Sequence, residues 1–303
     1  MKPELKKNIS LIGVPLDLGA SLRGANLGPD AIRYAGIKKR LEAIGYKVKD
    51  EGDILVKREE AFTVLGSNLK NMNVVVDVNK KLCEKVDQVM KKGSLPVVLG
   101  GDHSIALGTI KGVLHNVKKL GIIWFDAHGD INTNETTPTG NIHGMPVASL
   151  MGLGAKDLKE VGGEEYKIDK ANFVYIGSRD LDAPERKMMK ELGMNVFTMH
   201  EIDKIGIVAV MEEALRIATD GTDGIHVSFD MDVLDPEIAP GTGTKIKGGM
   251  TYREAHLSME MIAKSEKLVS VEFVEVNPLL DHENMTGKEA VALAGSLLGE
   301  WLI

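Results

Sequence analysis

Short, unbroken apolar runs alternate with longer segments of helical periodicity along almost the whole of this 303-residue chain. Unbroken apolar runs are typical of strands that are buried on both faces, as in a parallel sheet covered by helices on each side. The sequence therefore predicts an α/β fold with a mostly parallel central sheet in a three-layer α/β/α arrangement. The candidate strands are residues 9–14, 95–99, 121–125, 173–176, 196–199, 225–229 and 268–276.

The segments between these strands have the length that parallel crossovers require. No Ser/Gly/Pro-rich linker, low-complexity tract or short repeat interrupts the pattern, so we expect one domain over residues 1–303. Two irregular stretches, residues 130–146 and 235–250, each directly follow a predicted strand. Parallel sheets place ligand sites outside the carboxyl ends of their strands, so we expect a site there. The candidate helices are residues 32–44, 69–92, 105–119, 185–192, 205–219 and 252–264.

The composition narrows the possible classes of function. A formal net charge of −7 argues against a nucleic-acid-binding protein, whose footprint would be basic. No apolar run approaches the roughly 20 residues that a membrane-spanning helix needs, so no membrane association is expected. Cys83 is the only cysteine, which excludes an intrachain disulfide and fits a reducing compartment. We therefore expect a cytoplasmic protein.

Acidic and histidine residues collect where three predicted strands end. The motifs are Gly-Gly-Asp-His-Ser at 100–104, Asp-Ala-His-Gly-Asp at 126–130, and Asp-Met-Asp at 230–232. Alternate side chains of an extended segment point the same way, so Asp126, His128 and Asp130 can converge on one point, as can Asp230 and Asp232. Either motif alone is better explained by a structural role, such as a strand-end turn or a helix cap. Their repetition at three strand ends favours a shared site.

Together these strand ends supply four carboxylates and two imidazoles, an inventory suited to divalent cations. Four such carboxylates packed together without a counter-ion would repel one another and raise their own pKa values. Two divalent ions would offset that charge. The predicted metal ligands are His103, Asp126, His128, Asp130, Asp230 and Asp232.

Two glycine-containing segments have simpler interpretations. Gly100-Gly101 is a tight turn before a helix, because the phosphate-loop pattern G-x-x-x-x-G-K-[ST] does not occur in the chain. Residues 241–244 lack the third glycine of a dinucleotide fingerprint and follow a loop rather than a strand. Neither segment predicts nucleotide binding.

The three acid and histidine motifs, in this order, resemble those of the arginase/agmatinase (ureohydrolase) family. The resemblance extends from Gly13-Val-Pro15 to Glu275-Val-Asn-Pro278, nearly the whole chain. It implies an arginase-type fold and the hydrolysis of L-arginine to L-ornithine and urea by a hydroxide shared between two Mn²⁺ ions. It also implies that His103, Asp126, Asp130 and Asp230 hold one ion, and His128, Asp126, Asp230 and Asp232 the other. By ligand chemistry alone, Fe, Co or Ni would also fit.

The irregular stretch after the second motif resembles the arginase loop that receives the α-carboxylate of the amino acid. Its residues are Asn132, Thr137, Thr139 and Asn141, whose amides and hydroxyls can bind an anion without competing for the metals. Many arginases have Ser where this chain has Thr139. Asp182 matches the acid that meets the substrate's α-ammonium group. The alternatives are a polar turn for the loop, and an N-cap for Asp182.

The resemblance also assigns residues to the reaction itself. Asp130 is expected to hydrogen-bond the attacking hydroxide and carry its proton. His143 resembles the proton-shuttle histidine, a role that its ordinary pKa near neutrality suits. Glu275 resembles the acid that orients the guanidinium group through paired N–H bonds, and Thr244 is expected to close that end of the site. A purely structural loop histidine is the alternative for His143.

Two other interpretations remain open at this point. Another ureohydrolase, such as an agmatinase, would keep the metal ligands but would have no use for the carboxylate loop. A metal-binding pseudoenzyme would keep the fold without turnover. The family resemblance further implies a homo-oligomer, either a trimer or a hexamer.

Overall fold

The computed structural model describes residues 8–63 and 67–300, and its centre is an eight-stranded sheet. The strands are β1 (Asn8–Val14), β2 (Lys47–Asp53), β3 (Leu95–Gly100), β4 (Leu120–Phe125), β5 (Phe173–Ser178), β6 (Asn195–Thr198), β7 (Gly224–Asp230) and β8 (Leu268–Val274). Their order in the sheet is β2-β1-β3-β8-β7-β4-β5-β6, and every neighbouring pair is parallel. The predicted parallel α/β fold is confirmed.

Helices cover both faces of this sheet. They are α1 (Gly28–Tyr34), α2 (Ile37–Ala43), α3 (Met72–Lys91), α4 (Ala106–Leu114), α5 (Pro146–Leu150), α6 (Lys156–Lys159), α7 (Ala183–Leu192), α8 (Met199–Ile205), α9 (Ile207–Thr219), α10 (Tyr252–Lys264) and α11 (Met285–Leu297). Helices α1, α2 and α8 to α11 contribute to one hydrophobic core, and α3 to α7 contribute to the other. The three-layer arrangement follows, because each strand must bury both of its faces.

Alternation within a strand divides its side chains between the two cores. In β4, Ile123 and Phe125 lie in one core, whereas Ile122 and Trp124 lie in the other. All four side chains are buried. Burial on both faces explains why the strand reads as an unbroken apolar run rather than as an alternating pattern.

Strand β2 and helices α5, α6 and α11 have no counterpart among the predicted elements, and α8 overlaps predicted elements only at its two end residues. Strand β2 has the sequence KVKDEGD, in which only Val48 is buried, because β2 lies at the edge of the sheet. Helix α11 packs against α1, α2 and α10, and its small, buried residues have little amphipathic pattern. Polar edge strands and evenly buried helices both lack the periodicity from which the other elements were predicted.

Several predicted boundaries were wrong for a local backbone reason. The helix predicted at 32–44 is two helices, because Gly36 has a φ of 93° between them. The helix predicted to begin at residue 205 begins at Ile207, because Gly206, with a φ of 82°, separates it from α8. The strand predicted to reach residue 276 ends at Val274, because Glu275 turns into the left-handed region with a φ of 62°.

Four neighbouring strands, β3, β8, β7 and β4, occupy the middle of the sheet. Because these strands are parallel, their carboxyl ends lie along one edge of the sheet. The residues that follow or complete the strands at this edge are His103, Glu275, Asp230 and Asp126. Residues that are far apart in the chain are thereby brought to one place. Within the described ranges, no helix has both the length and the apolar character needed to cross a bilayer.

Candidate metal centre and active site

Two groups of potential metal ligands lie at this edge. The first is His103, Asp126 and Asp230, and the second is Asp126, His128 and Asp232. Within each group the ligand atoms lie within 4.8 Å of one another. Asp126 belongs to both groups, which is the arrangement that two adjacent cations sharing a bridging carboxylate require.

The Nδ1 atom of His103 is surrounded by carboxylate oxygens. It lies 3.1 Å from Oδ2 of Asp126, 3.1 Å from Oδ2 of Asp130 and 3.2 Å from Oδ2 of Asp230, yet has no hydrogen-bond partner. The imidazole is fully buried. A bare nitrogen lone pair among three carboxylates is stable only with a positive charge between them, so the donor set fits a cation.

The contact that Nε2 of His103 makes sets the tautomer of the ring. Its Nε2 atom lies 2.8 Å from Oγ of Ser228, and that hydroxyl donates to Oε1 of Glu272, also at 2.8 Å. Because the hydroxyl hydrogen goes to Glu272, the Ser228 oxygen must accept from His103, which places the imidazole proton on Nε2. Nδ1 is then the free ligand atom. Hydrogen-bonded partners of this kind hold metal-binding histidines in one orientation.

The raised pKa values of several groups in the cluster also indicate that the cluster is stabilised by added positive charge. Burial, followed by repulsion from Asp232 and Asp126, raises the pKa of Asp230 well above its ordinary value. Burial and the charge of Asp126 raise the pKa of Asp130 to about 6. Burial alone would lower the pKa of His103, but its carboxylate contacts raise it well above the ordinary value. Protons bind here when no cation does, so cation binding should weaken as pH falls.

Further contacts hold the ligands in place. The indole Nε1 of Trp124 donates to Oδ2 of Asp126 at 2.9 Å, and its ring stacks on His103 with centroids 4.1 Å apart. The backbone N–H of His128 donates to Oδ1 of Asp126 at 2.7 Å. Oγ1 of Thr244 donates to Oδ2 of Asp232 at 2.9 Å. Thr244 therefore supports a predicted ligand as well as facing the cavity.

A cavity of about 310 Å³ opens onto this cluster. It includes every predicted substrate-binding residue except Glu275, together with the predicted proton shuttle His143, three predicted ligands and four residues that were not predicted. The predicted residues in its wall are His128, Asp130, Asn132, Thr137, Thr139, Asn141, His143, Asp182, Asp230 and Thr244. The others are Pro138, Gly144, Asp180 and Glu185.

Glu275 and His143 lie together beside the cluster. Oε1 of Glu275 accepts the backbone N–H of His103 at 2.8 Å and lies 3.2 Å from Nδ1 of His143. Burial would lower the pKa of His143, but the hydrogen bond and charge of Glu275 raise it to about 9. Glu275 and Asp130 both have positive φ angles, 62° and 50°, a conformation that non-glycine residues adopt at a free-energy cost and often at functional sites.

Comparison with known proteins decides the family. The arginase family model matches residues 7–299. The chain belongs to the arginase family. An arginase of Brevibacillus brevis is 53% identical over 299 residues, covering 99% of this chain and 100% of the relative.

Solved structures agree. An arginase of Bacillus caldovelox is 51% identical, with a TM-score of 0.95 over 98% of this chain and 100% of that one. Formimidoylglutamase of Bacillus subtilis, at 26% identity, has a TM-score of 0.79 over 98% of this chain and 88% of that one. As a member of the arginase family, this chain is a ureohydrolase-type enzyme with buried His and Asp groups able to hold metal.

In this arginase-family chain, the loop after β4 leaves donors available. Oγ1 of Thr137 accepts the backbone N–H of Gly140 at 3.0 Å, and Oγ1 of Thr139 accepts that of Asn141 at 3.2 Å. Each hydroxyl hydrogen therefore stays available to donate elsewhere. Asn132 accepts from Thr136 and donates to Asp182, so its amide orientation is defined. The loop presents neutral donors, as an anion site without charged side chains requires.

Glu185 is a site residue that the sequence reasoning missed. It is buried, lines the cavity, and accepts the backbone N–H groups of Asp182 and Ile131. Burial, the largest influence, raises the pKa of Glu185 to about 7. Its signal was an acid three residues after Asp182, the spacing of a capping box. Asp182 is the N-cap of α7 and also lines the cavity, so both of its predicted alternatives are compatible with its position.

Replacing Ser228 with Ala should weaken metal binding about tenfold to a hundredfold, the usual effect of losing a residue that orients a metal ligand. Without the hydroxyl, His103 loses the contact that keeps its proton on Nε2. Competition with a chromophoric chelator measures the affinity directly. Ser270→Ala is the matched control, because Ser270 is a buried serine that contacts His226 rather than His103. Equal affinities in the two variants would contradict this role for Ser228.

Proposed function

We propose that this chain is a manganese-dependent arginase that hydrolyses L-arginine to L-ornithine and urea. The observation that carries the proposal is a single cavity whose wall combines two kinds of residue. One kind belongs to the acid and histidine cluster. The other is the set of neutral donors with Asp182, which suits the α-carboxylate and α-ammonium groups of an amino acid.

Charge supports a cationic side chain on the substrate. The guanidinium group of arginine remains protonated in proteins. The four ligand carboxylates would balance two divalent ions, and protonated His143 would offset one of the two remaining negative charges, those of the hydroxide and of the buried carboxylate of Glu275. A guanidinium group can satisfy that carboxylate through paired N–H bonds, whereas a phosphate would be repelled by it.

Two Mn²⁺ ions would share two ligands, Asp126 and Asp230, and each ion would have a histidine of its own. The first would be held by His103, Asp126, Asp130 and Asp230, and the second by His128, Asp126, Asp230 and Asp232. When bound, such a pair supplies a hydroxide nucleophile at neutral pH by lowering the pKa of water.

The chain's own residues do the remaining work. Asp130 accepts a hydrogen bond from the nucleophile and takes up its proton. Glu275 orients the guanidinium group. His143 donates a proton to the departing δ-amine, which cannot leave as an amide anion. The raised pKa of His143 keeps the ring protonated for that donation.

His143→Ala should lower kcat about a hundredfold through loss of a positioned proton donor, while leaving the metal content unchanged. The ring contacts Glu275 and none of the proposed ligands by hydrogen bond. Steady-state kinetics and metal analysis of the same preparation measure both quantities. His282→Ala, at an exposed position, is the matched control. Loss of metal from the His143 variant would instead make His143 part of the metal site.

Family membership alone leaves the substrate open, because formimidoylglutamase of Bacillus subtilis shares the fold. The donors around Thr137 and Thr139 favour a substrate with a carboxylate, and so favour arginine over agmatine.

The chemistry is tested by removing the metal and identifying both products. Chelator-treated protein should release no urea from L-arginine, and added Mn²⁺ should restore the release of urea and L-ornithine in equal amounts. Turnover that survives chelation would contradict the metal assignment. A fully metal-loaded protein that releases no urea would contradict the proposed reaction.

We also propose that residues 1–303 form one catalytic domain, and that the protein is a cytoplasmic homo-oligomer. The family model covers nearly the whole chain, and Cys83 is a buried free thiol. Sedimentation analysis distinguishes a trimer from a hexamer, and a monomer at all concentrations would contradict the assembly.

A further inference from the structure

A lysine outside the cavity controls one of the residues in its wall. Nζ of Lys70 donates to Oδ1 of Asn141 at 3.0 Å and to Oγ of Ser21 at 2.9 Å. The Ser21 hydroxyl in turn donates to the same Asn141 oxygen at 2.8 Å. Two donors, one of them charged, therefore converge on one amide oxygen.

This convergence decides which way the Asn141 amide faces. If the amide were rotated by half a turn, its NH₂ group would face the Lys70 ammonium group, donor against donor. With the oxygen held by Lys70 and Ser21, the Nδ2 group faces away from both. Asn141 is 9% exposed and lines the cavity beside Thr137 and Thr139. Its Nδ2 group is thus kept as a further neutral donor of the same loop.

The segment that carries Lys70 is hydrogen-bonded to two neighbouring segments, one at Gly140 and the other at Leu18. The Lys70 backbone N–H donates to the Gly140 carbonyl at 3.0 Å, and Nδ2 of Asn71 donates to the Leu18 carbonyl at 3.0 Å. Gly140 packs so closely that a Cβ there would lie 1.8 Å from the carbonyl oxygen of Asn68. The backbone from which the Lys70 side chain extends is therefore fixed beside the loop, and the two hydrogen bonds of Nζ place the ammonium group at Asn141.

The positive charge of Lys70 also favours the binding of an anion by the loop. Among the residues described, Lys70 makes its side-chain hydrogen bonds to Ser21 and Asn141, and no carboxylate lies within ion-pair distance of its Nζ. An anion bound by the loop would experience this positive charge. Because Lys70 is half-exposed, water screens the effect, and orientation of Asn141 remains the larger contribution.

We propose that Lys70 is a positioning residue for substrate selection: it holds the Asn141 amide so that Nδ2 donates to the α-carboxylate of the substrate. This inference rests on the proposed arginase function. It assigns part of the preference for an amino acid over its decarboxylated amine to a residue that touches neither.

Lys70→Met should raise KM for L-arginine about fivefold, the effect of one misoriented neutral hydrogen bond, with kcat unchanged. Agmatine has no carboxylate, so its kcat/KM should stay the same, and the arginine-to-agmatine ratio should fall by that factor. Lys70→Arg keeps a charged donor and should recover much of the ratio. Lys118→Met is the matched control, because Lys118 is exposed and lies just before the amino end of β4, whereas the site lies at the carboxyl ends of the strands.

Equal losses for both substrates would show a general structural effect and overturn the inference, as would an unchanged ratio. If Lys70→Met does not fold, Ser21→Ala removes the other donor to Asn141 and must lower the same ratio. Binding of L-ornithine and putrescine to the manganese-loaded protein gives a readout without turnover, in which only L-ornithine should weaken. A different result would contradict the proposed function itself: an unmodified protein that does not prefer L-arginine to agmatine.

Discussion

Asp126→Asn should weaken metal binding by at least about a hundredfold and abolish urea release at ordinary manganese concentrations, since even the loss of a supporting residue costs up to that much. Asp126 is the carboxylate common to both ligand groups. Its two oxygens also accept from Trp124 and from the His128 backbone. An amide removes the charge and turns an NH₂ group toward one of those donors.

The measurement is metal content by mass spectrometry together with the thermal shift that Mn²⁺ produces. The parent protein should be stabilised by Mn²⁺, because a ligand that binds only the folded state shifts the unfolding equilibrium. The variant should melt at nearly the same temperature with and without the ion. Asp203→Asn, at an exposed position on α8, controls for the substitution itself. Near-normal turnover of the Asp126 variant would refute the ligand assignment.

Glu275→Gln should lower kcat/KM for L-arginine roughly a hundredfold to a thousandfold, the range for removing one partner of a buried, hydrogen-bonded charge pair. The glutamine side chain keeps an oxygen that can accept the His103 N–H, so the fold at this point should persist. The substitution removes the negative charge that would face the guanidinium group and that also raises the pKa of His143. Metal binding should remain close to normal.

Steady-state kinetics at saturating Mn²⁺, with metal content measured in parallel, separates these effects. Glu283→Gln is a matched control, because Glu283 is exposed and also has a positive φ angle. Loss of metal from the Glu275 variant would indicate that Glu275 acts through His103 rather than on the substrate. Unchanged kinetics would remove Glu275 from the active site.

The fold was predictable wherever burial left a periodic or unbroken pattern. Strand β4 is buried on both faces and is visible as an apolar run. Strand β2 was missed because an edge strand of a covered sheet can be almost entirely polar. The end of β8 was misplaced because its last predicted residues are apolar or acidic in sequence, whereas the turn at Glu275 depends on tertiary contacts with His103 and Gly101.

The site was predictable to the extent that its residues are close together in the chain. Asp126, His128 and Asp130 form one motif, and the topology of a parallel sheet brings the other motifs to the same edge. Two of the supporting residues, Ser228 and Lys70, were not predictable. Ser228 is 125 residues from His103, and Lys70 is 71 residues from Asn141. No local pattern marks a serine or a lysine as the partner of one distant side chain.

The most direct test of the central claim is urea release from L-arginine, agmatine and D-arginine by the manganese-loaded protein under identical conditions. We expect a strong preference for L-arginine, because only this substrate places a carboxylate and an ammonium group where the loop of Thr137 and Thr139 and the side chain of Asp182 can receive both. A preference for agmatine would leave the metal chemistry intact and contradict the assignment of the amino-acid-binding residues.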